Sequence, residues 1–139
     1  MAEQRSWRKT ILGEPASKAN SRKIVITGRG RNARHRVIKS TKALGYAADF
    51  VKQCGSLRQL LEGRLRVTMK IWYANERSDL DESLILDLLQ GRVYTNDRQV
   101  RERHCFHAID RANPRVEIVV EEISEVDSEL IWTALGPQP

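Results

Sequence analysis

The stretch from Arg64 to Ala74 (RLRVTMKIWYA) limits the possible folds more than any other. In an extended chain successive side chains point to opposite faces, so Leu65, Val67, Met69 and Ile71 share one face. Arg64, Arg66, Thr68 and Lys70 share the other. This alternation predicts a half-buried strand over 64–74.

The flanking segments supply elements for such a strand to pair with. Thr10 to Leu12 is a short strand ended by Gly13-Glu14-Pro15, and residues 1–7 are a disordered lead-in. Lys23 to Thr27 is β-branched and predicts a strand, with His35 to Lys39 returning after the Gly/Arg-rich loop Gly28–Arg34. Ser40 and Thr41 are good helix caps, and Leu44, Ala47, Ala48 and Val51 recur at helical spacing, which predicts a helix over 41–53. A second helical piece over Ser56–Glu62 follows Gly55. Leu84, Ile85, Leu88 and Leu89 form a helical stripe that Gly91 stops. Val100–Ile109 and Arg115–Ile123 read as the last two strands. The pattern is α+β: a single mixed β-sheet of about five or six strands with two main helices packed on it. It divides into a flexible basic lead-in (1–9), one domain (10–123) and an acidic tail (124–139), whose Leu130, Ile131, Trp132 and Leu135 could dock.

A chain of 139 residues suits one domain. It holds no apolar run long enough to cross a membrane, and its N-terminus lacks the apolar region of a secretory signal. Cys54 and Cys105 are far apart without CxxC spacing, which fits a reduced, cytoplasmic setting. The net charge of +6 is unevenly spread. Residues 1–39 carry eleven Lys/Arg against two acids, a balance of +9, whereas residues 116–139 carry six acids and no Lys or Arg. A basic front end suits a polyanion. A solvated arm without a specific partner is an equal reading of charge alone.

Asp79-x-Asp81 sets two carboxylates between a strand end and a helix start, and Asp97 follows one helix and one loop later, where the chain should return toward that strand end. Converging carboxylates need a counter-charge, and Mg²⁺ accepts carboxylate, water and phosphate oxygens. Structural roles are open too: Asp81 could cap the helix, Asp79 could sit in an exposed turn, and Asp97 could hold an Asx-turn.

Taken together, DLDESLILDLLQGRVYTNDRQV (Asp79–Val100) resembles the RusA family of Holliday junction resolvases, whose pattern is DLDN-L-K, a helix, a turn ending D-D or N-D, then Q-V. Gly13-x-Pro15-x-Ser17-Lys18-x-Asn20-x-Arg22 is similar to that family's N-terminal segment, and Ser40 and Tyr46 fit its Ser…Tyr spacing. The resemblance covers roughly residues 10–123. It implies a homodimeric, Mg²⁺-dependent endodeoxyribonuclease that nicks branched DNA, the four-way junction, and needs no small-molecule cofactor. The matching metal positions are Asp79, Asp81 and Asp97, while Lys18, Asn20 and Arg22 are the matching DNA contacts. Arg77, a cation adjacent to the acid pair, is a further DNA-binding candidate that could stand in for the family's Lys. Glu82 stands where the family has Asn, and Ile85 where it has Lys. The departure at Ile85 favours the alternative of a junction-binding protein of the same fold with weakened or lost catalysis.

Other motifs carry less. His104 and His107 lie i, i+3 on a strand and face opposite sides, so they do not share a zinc ion. The Gly28–Arg34 loop lacks the Lys-Ser/Thr of a P-loop and reads as a basic arm brushing phosphates. Trp72 reads as packing rather than as a base-stacking platform.

Overall fold

The structure, a computed structural model, describes the backbone of residues 3–16, 22–27, 31 and 34–138; side chains within 22–27 and 34–39 are outside the description. Among the described residues there are six strands: β1 (Ser6–Leu12), β2 (Arg22–Thr27), β3 (Arg34–Lys39), β4 (Arg64–Tyr73), β5 (Val100–Ile109) and β6 (Arg115–Ile123). Three helices accompany them: α1 (Thr41–Cys54), α2 (Ser83–Leu89) and α3 (Glu125–Leu135). The class is α+β with a mixed sheet, as the alternation implied.

The sheet holds four strands in the order β1-β6-β4-β5, rather than the five or six expected. β2 and β3 pair with each other as a separate antiparallel hairpin. Composition marks both as strands, but a hairpin satisfies its ladder locally and does not require the main sheet. At the other end, β1 starts at Ser6, earlier than expected, because its register with β6 runs unbroken from Ser6–Glu121 to Leu12–Arg115. Residues 56–62 are not helical: the Leu57 and Leu61 amides donate to the carbonyls of Arg92 and Val93 instead. The acidic tail contains α3, which Ser124 and Asp127 start with a reciprocal capping box.

β4 is central, antiparallel to β6 and parallel to β5. Its odd-numbered residues from Leu65 to Tyr73 are buried with Ile11, Val116, Ile118 and Val120. Covering them are Ala43, Tyr46 and Phe50 of α1 and the Leu84, Ile85, Leu88 and Leu89 stripe of α2. Each such aliphatic side chain contributes on the order of 1.5–3 kcal/mol when fully buried. The even-numbered residues form the opposite face. There Arg66 makes two 3.1 Å contacts with Glu102 and a third of 3.4 Å with Glu121. Trp72 is half-buried on this face, with Arg115 4.0 Å and Lys70 4.9 Å from its ring centre. It packs, as expected, though under cations rather than in the core.

Two parallel strands need a crossover, and β4–α2–β5 is that unit. It positions all three candidate aspartates: Asp79 and Asp81 lie between β4 and α2, and Asp97 lies between α2 and β5.

Candidate active site

The parallel pairing decides where those aspartates fall. Val100, at the start of β5, is opposite Leu65 at the start of β4, so Asp97 enters near the strand start and not near the strand end that Asp79 follows. Eight strand steps, about 26 Å, separate Leu65 from Tyr73. The expected return of the chain to the same strand end is therefore corrected by the topology. The 74–82 loop makes up part of the separation by lying back against the sheet. The His107 ring, stacked on Tyr73 at 5.0 Å, reaches the Ser78 carbonyl at 3.1 Å. The Asp81 amide donates to the Tyr73 hydroxyl at 3.1 Å, and Glu82 reaches Arg103 on β5 at 3.2 Å.

Glu14 anchors the root of this loop. It accepts from the Ala74 amide through one oxygen and pairs with Lys42 at 2.9 Å through the other. Burial raises its pKa, but the Ala74 bond and the Lys42 ammonium outweigh that and hold the carboxyl below its ordinary range. Tyr46 of α1, matched above to the resemblance, is buried, and its hydroxyl has no hydrogen-bond partner among the described residues. Burial raises its pKa.

A groove of about 340 Å³ opens between α2 and the start of β5, lined by Ser83, Leu86, Asp87, Asp97, Val100 and Arg103. Asp97 is exposed. Its amide donates to the Gln90 side chain at 2.9 Å, and its Oδ1 lies 3.1 Å from the Tyr94 hydroxyl. That hydroxyl is also 2.8 Å from the Leu86 carbonyl, and its single proton can serve only one acceptor. The Asx role open for Asp97 belongs to its neighbour: Asn96 caps the short 3-10 turn Asp97–Gln99, and Gln99 closes the capping box. Asp81 does have a helix-starting contact, because its Oδ1 accepts from the Ser83 amide at 3.0 Å and the Ser83 hydroxyl at 2.6 Å. Asp81 is thus one hydrogen bond from the groove wall. The Oδ2 atoms of Asp81 and Asp97, and both oxygens of exposed Asp79, accept no hydrogen bond among the described residues.

These free oxygens are hard donors of the type Mg²⁺ takes. No three His, Cys, Asp or Glu side chains among the described residues gather closely enough to enclose an ion. The donor chemistry therefore fits a hard cation held by one or two carboxylates, with water and substrate completing its shell, and does not fit a closed protein cage. His104 bonds Glu102 on the face opposite His107, as strand alternation required. Burial, and secondarily Glu82, push the Cys105 thiol up to about 11, which disfavours its thiolate.

Of the predicted DNA contacts, Lys18 and Asn20 lie outside the described residues, as does most of the Gly28–Arg34 loop, and Arg22 is described only as the first backbone position of β2. Arg77 is exposed in the 74–82 loop, its amide bonded to Asn75. Sequence reasoning missed Arg103. The only signal available was a cation on the helix side of a strand whose neighbour β4 is apolar there.

The family model for the endodeoxyribonuclease RusA matches residues 13–121, a span that contains the groove, the 74–82 loop and all three aspartates. The chain belongs to the RusA endodeoxyribonuclease family. A comparison with curated proteins finds no match. The matched RusA span includes β4, α2, β5 and nearly all of β6, so the crossover unit lies entirely within it.

Proposed function

We propose that this RusA-family chain is a Mg²⁺-dependent endonuclease that nicks four-way DNA junctions during recombination and repair, working as a homodimer. The observation that carries the reading is the open groove flanked by carboxylates with unshared oxygens, inside the family match. One or two of Asp97, which lines the groove, and Asp81 and Asp79, from the 74–82 loop, would hold an ion, with water and substrate completing its shell. When bound, Mg²⁺ supplies positive charge to a phosphodiester and acidifies a water. The chain's own residues do the rest. Tyr94 and Gln90 orient Asp97, Ser83 and Tyr73 orient Asp81, and the basic front end, with Lys18, Asn20, Arg22 and Arg77, engages the DNA backbone.

One observation favours a second reading, junction binding with weakened catalysis. Ile85 is fully buried, so the position matched to the family's Lys offers no cation to the groove.

The test uses a synthetic four-way junction, the wild type and Asp81→Asn, with and without Mg²⁺. Paired nicks that need the metal and vanish in the variant support the enzyme. Tight junction binding with no nicks in any divalent metal would replace it with the second reading. Sedimentation of the wild type with and without junction tests the homodimer.

A further inference from the structure

Arg103 is the only basic side chain lining the groove between α2 and β5 among the described residues. It projects from the helix side of β5 opposite Val67, where the neighbouring strand is apolar. Only Nη1 is engaged, with Glu82 Oε1 at 3.2 Å; the other guanidinium donors make no hydrogen bond among the described residues. The side chain is 54% exposed, so the pair with Glu82 is solvent-screened and weak. Asp97 lines the same groove. Arg103 therefore stands between the two acidic sides of the groove: Glu82 beside Asp81, and Asp97. Arg103 also borders a cleft lined by α3, which it shares with Arg101; Arg101 does not line the groove.

A guanidinium with unused donors in an open groove is suited to bidentate capture of a phosphate. A resting carboxylate partner keeps it extended without holding it strongly. We propose that Arg103 binds a DNA backbone phosphate in this groove, exchanging Glu82 for phosphate oxygens, and that Glu82 is the partner that positions it beforehand. The identification of the anion rests on the nuclease reading above. Because the phosphate arrives between Asp97 and the Asp81 loop, Arg103 sets which phosphate lies beside the carboxylates.

Junction binding in Ca²⁺ over a range of salt, together with single-turnover nicking in Mg²⁺, tests this with Arg103→Gln, Arg103→Lys and Glu82→Gln. Loss of one phosphate contact lowers the slope of log affinity against log salt by about 0.9. Arg103→Gln should show that loss and nick on the order of 100-fold more slowly, the scale of removing one donor to developing charge. Arg103→Lys should keep the slope and recover part of the rate, and Glu82→Gln should bind several-fold more tightly. Wild-type slope and rate in Arg103→Gln would overturn the proposal and leave the nuclease reading standing. A wild type that binds but never nicks removes the nuclease reading, and the slopes still decide Arg103. No junction binding by the wild type would overturn both.

Discussion

Two acidic regions on opposite faces of the sheet handle their carboxylates differently. On the open face Glu102 is saturated: Arg66 grips both its oxygens, and His104 and Ser128 add further bonds. Burial raises its pKa, but those partners prevail and hold it below the ordinary carboxylate range. Asp97 in the groove and Asp81 beside its wall each engage one oxygen and leave the other unshared among the described residues. A saturated acid fastens strands together; an acid with a free oxygen on an open groove is available to a ligand. Strand alternation puts Glu102 on the open face of β5, whereas Asp81 and Asp97 come from the two connections of the β4–α2–β5 crossover.

The largest test of this contrast is Ile85→Lys. If α2 presented position 85 to the groove, lysine would improve phosphate binding. Ile85 is instead fully buried under the helix. The substitution should cost about 3–5 kcal/mol, the scale of an unpaired buried charge, seen as a lower urea midpoint. Unchanged stability with faster nicking would place the helix face wrongly.

Next in size is the pair Asp97→Asn and Glu102→Gln. Asp97→Asn should reduce nicking by ~100-fold or more while the melting temperature barely moves. Glu102→Gln should do the reverse, costing about 1–3 kcal/mol by loosening Arg66 and leaving the nicking rate near wild type. Equal effects on both readouts for both variants would erase the distinction between the faces.

What the sequence made legible follows the range of each interaction. β4 was readable because alternation is local, and α1 because Ser40 caps it within three residues. α2 ended as expected at Gly91, whose φ of +82° suits glycine. α3 was missed as a helix because Val126, Leu130, Trp132 and Leu135 are all exposed, so no buried face marks its period. The count of strands in the sheet failed because pairing is long-range: β2 and β3 look like sheet strands but find each other. Asp79, Asp81 and Asp97 were picked out as a set by the family pattern. Their separation came from the parallel register of β4 and β5, which no local spacing encodes. Arg103 depends on Glu82, twenty-one residues away in the chain, and was invisible for the same reason.

Acid titration sharpens the comparison further. Glu14 and Glu102 both have folded pKa values below the ordinary 4.5. Their contribution is therefore fully present above the unfolded value and is lost as pH falls through the lower folded values. Chemical denaturation between pH 5 and about pH 3 should show stability falling with pH. Glu102→Gln should flatten that decline in part. A decline unaffected by Glu102→Gln would mean the open-face network does not supply the acid sensitivity.

The smallest expected effect is also the most specific. Tyr94 is fully buried, and its hydroxyl proton must choose between the Leu86 carbonyl and Asp97 Oδ1. Tyr94→Phe keeps the ring and its packing and removes only that choice. If the proton serves mainly Leu86, the variant loses about 1 kcal/mol of stability, the net worth of one hydrogen bond, and nicks normally. If it serves Asp97, the carboxylate loses the contact that orients it, and nicking should fall ~10-fold with stability nearly unchanged. Because Asp97 keeps its Gln90 bond in either case, its backbone stays placed, and the variant isolates side-chain orientation. We expect the second result, since a tyrosine whose hydroxyl reaches from the core to a groove carboxylate links the packed side of α2 to the site it walls.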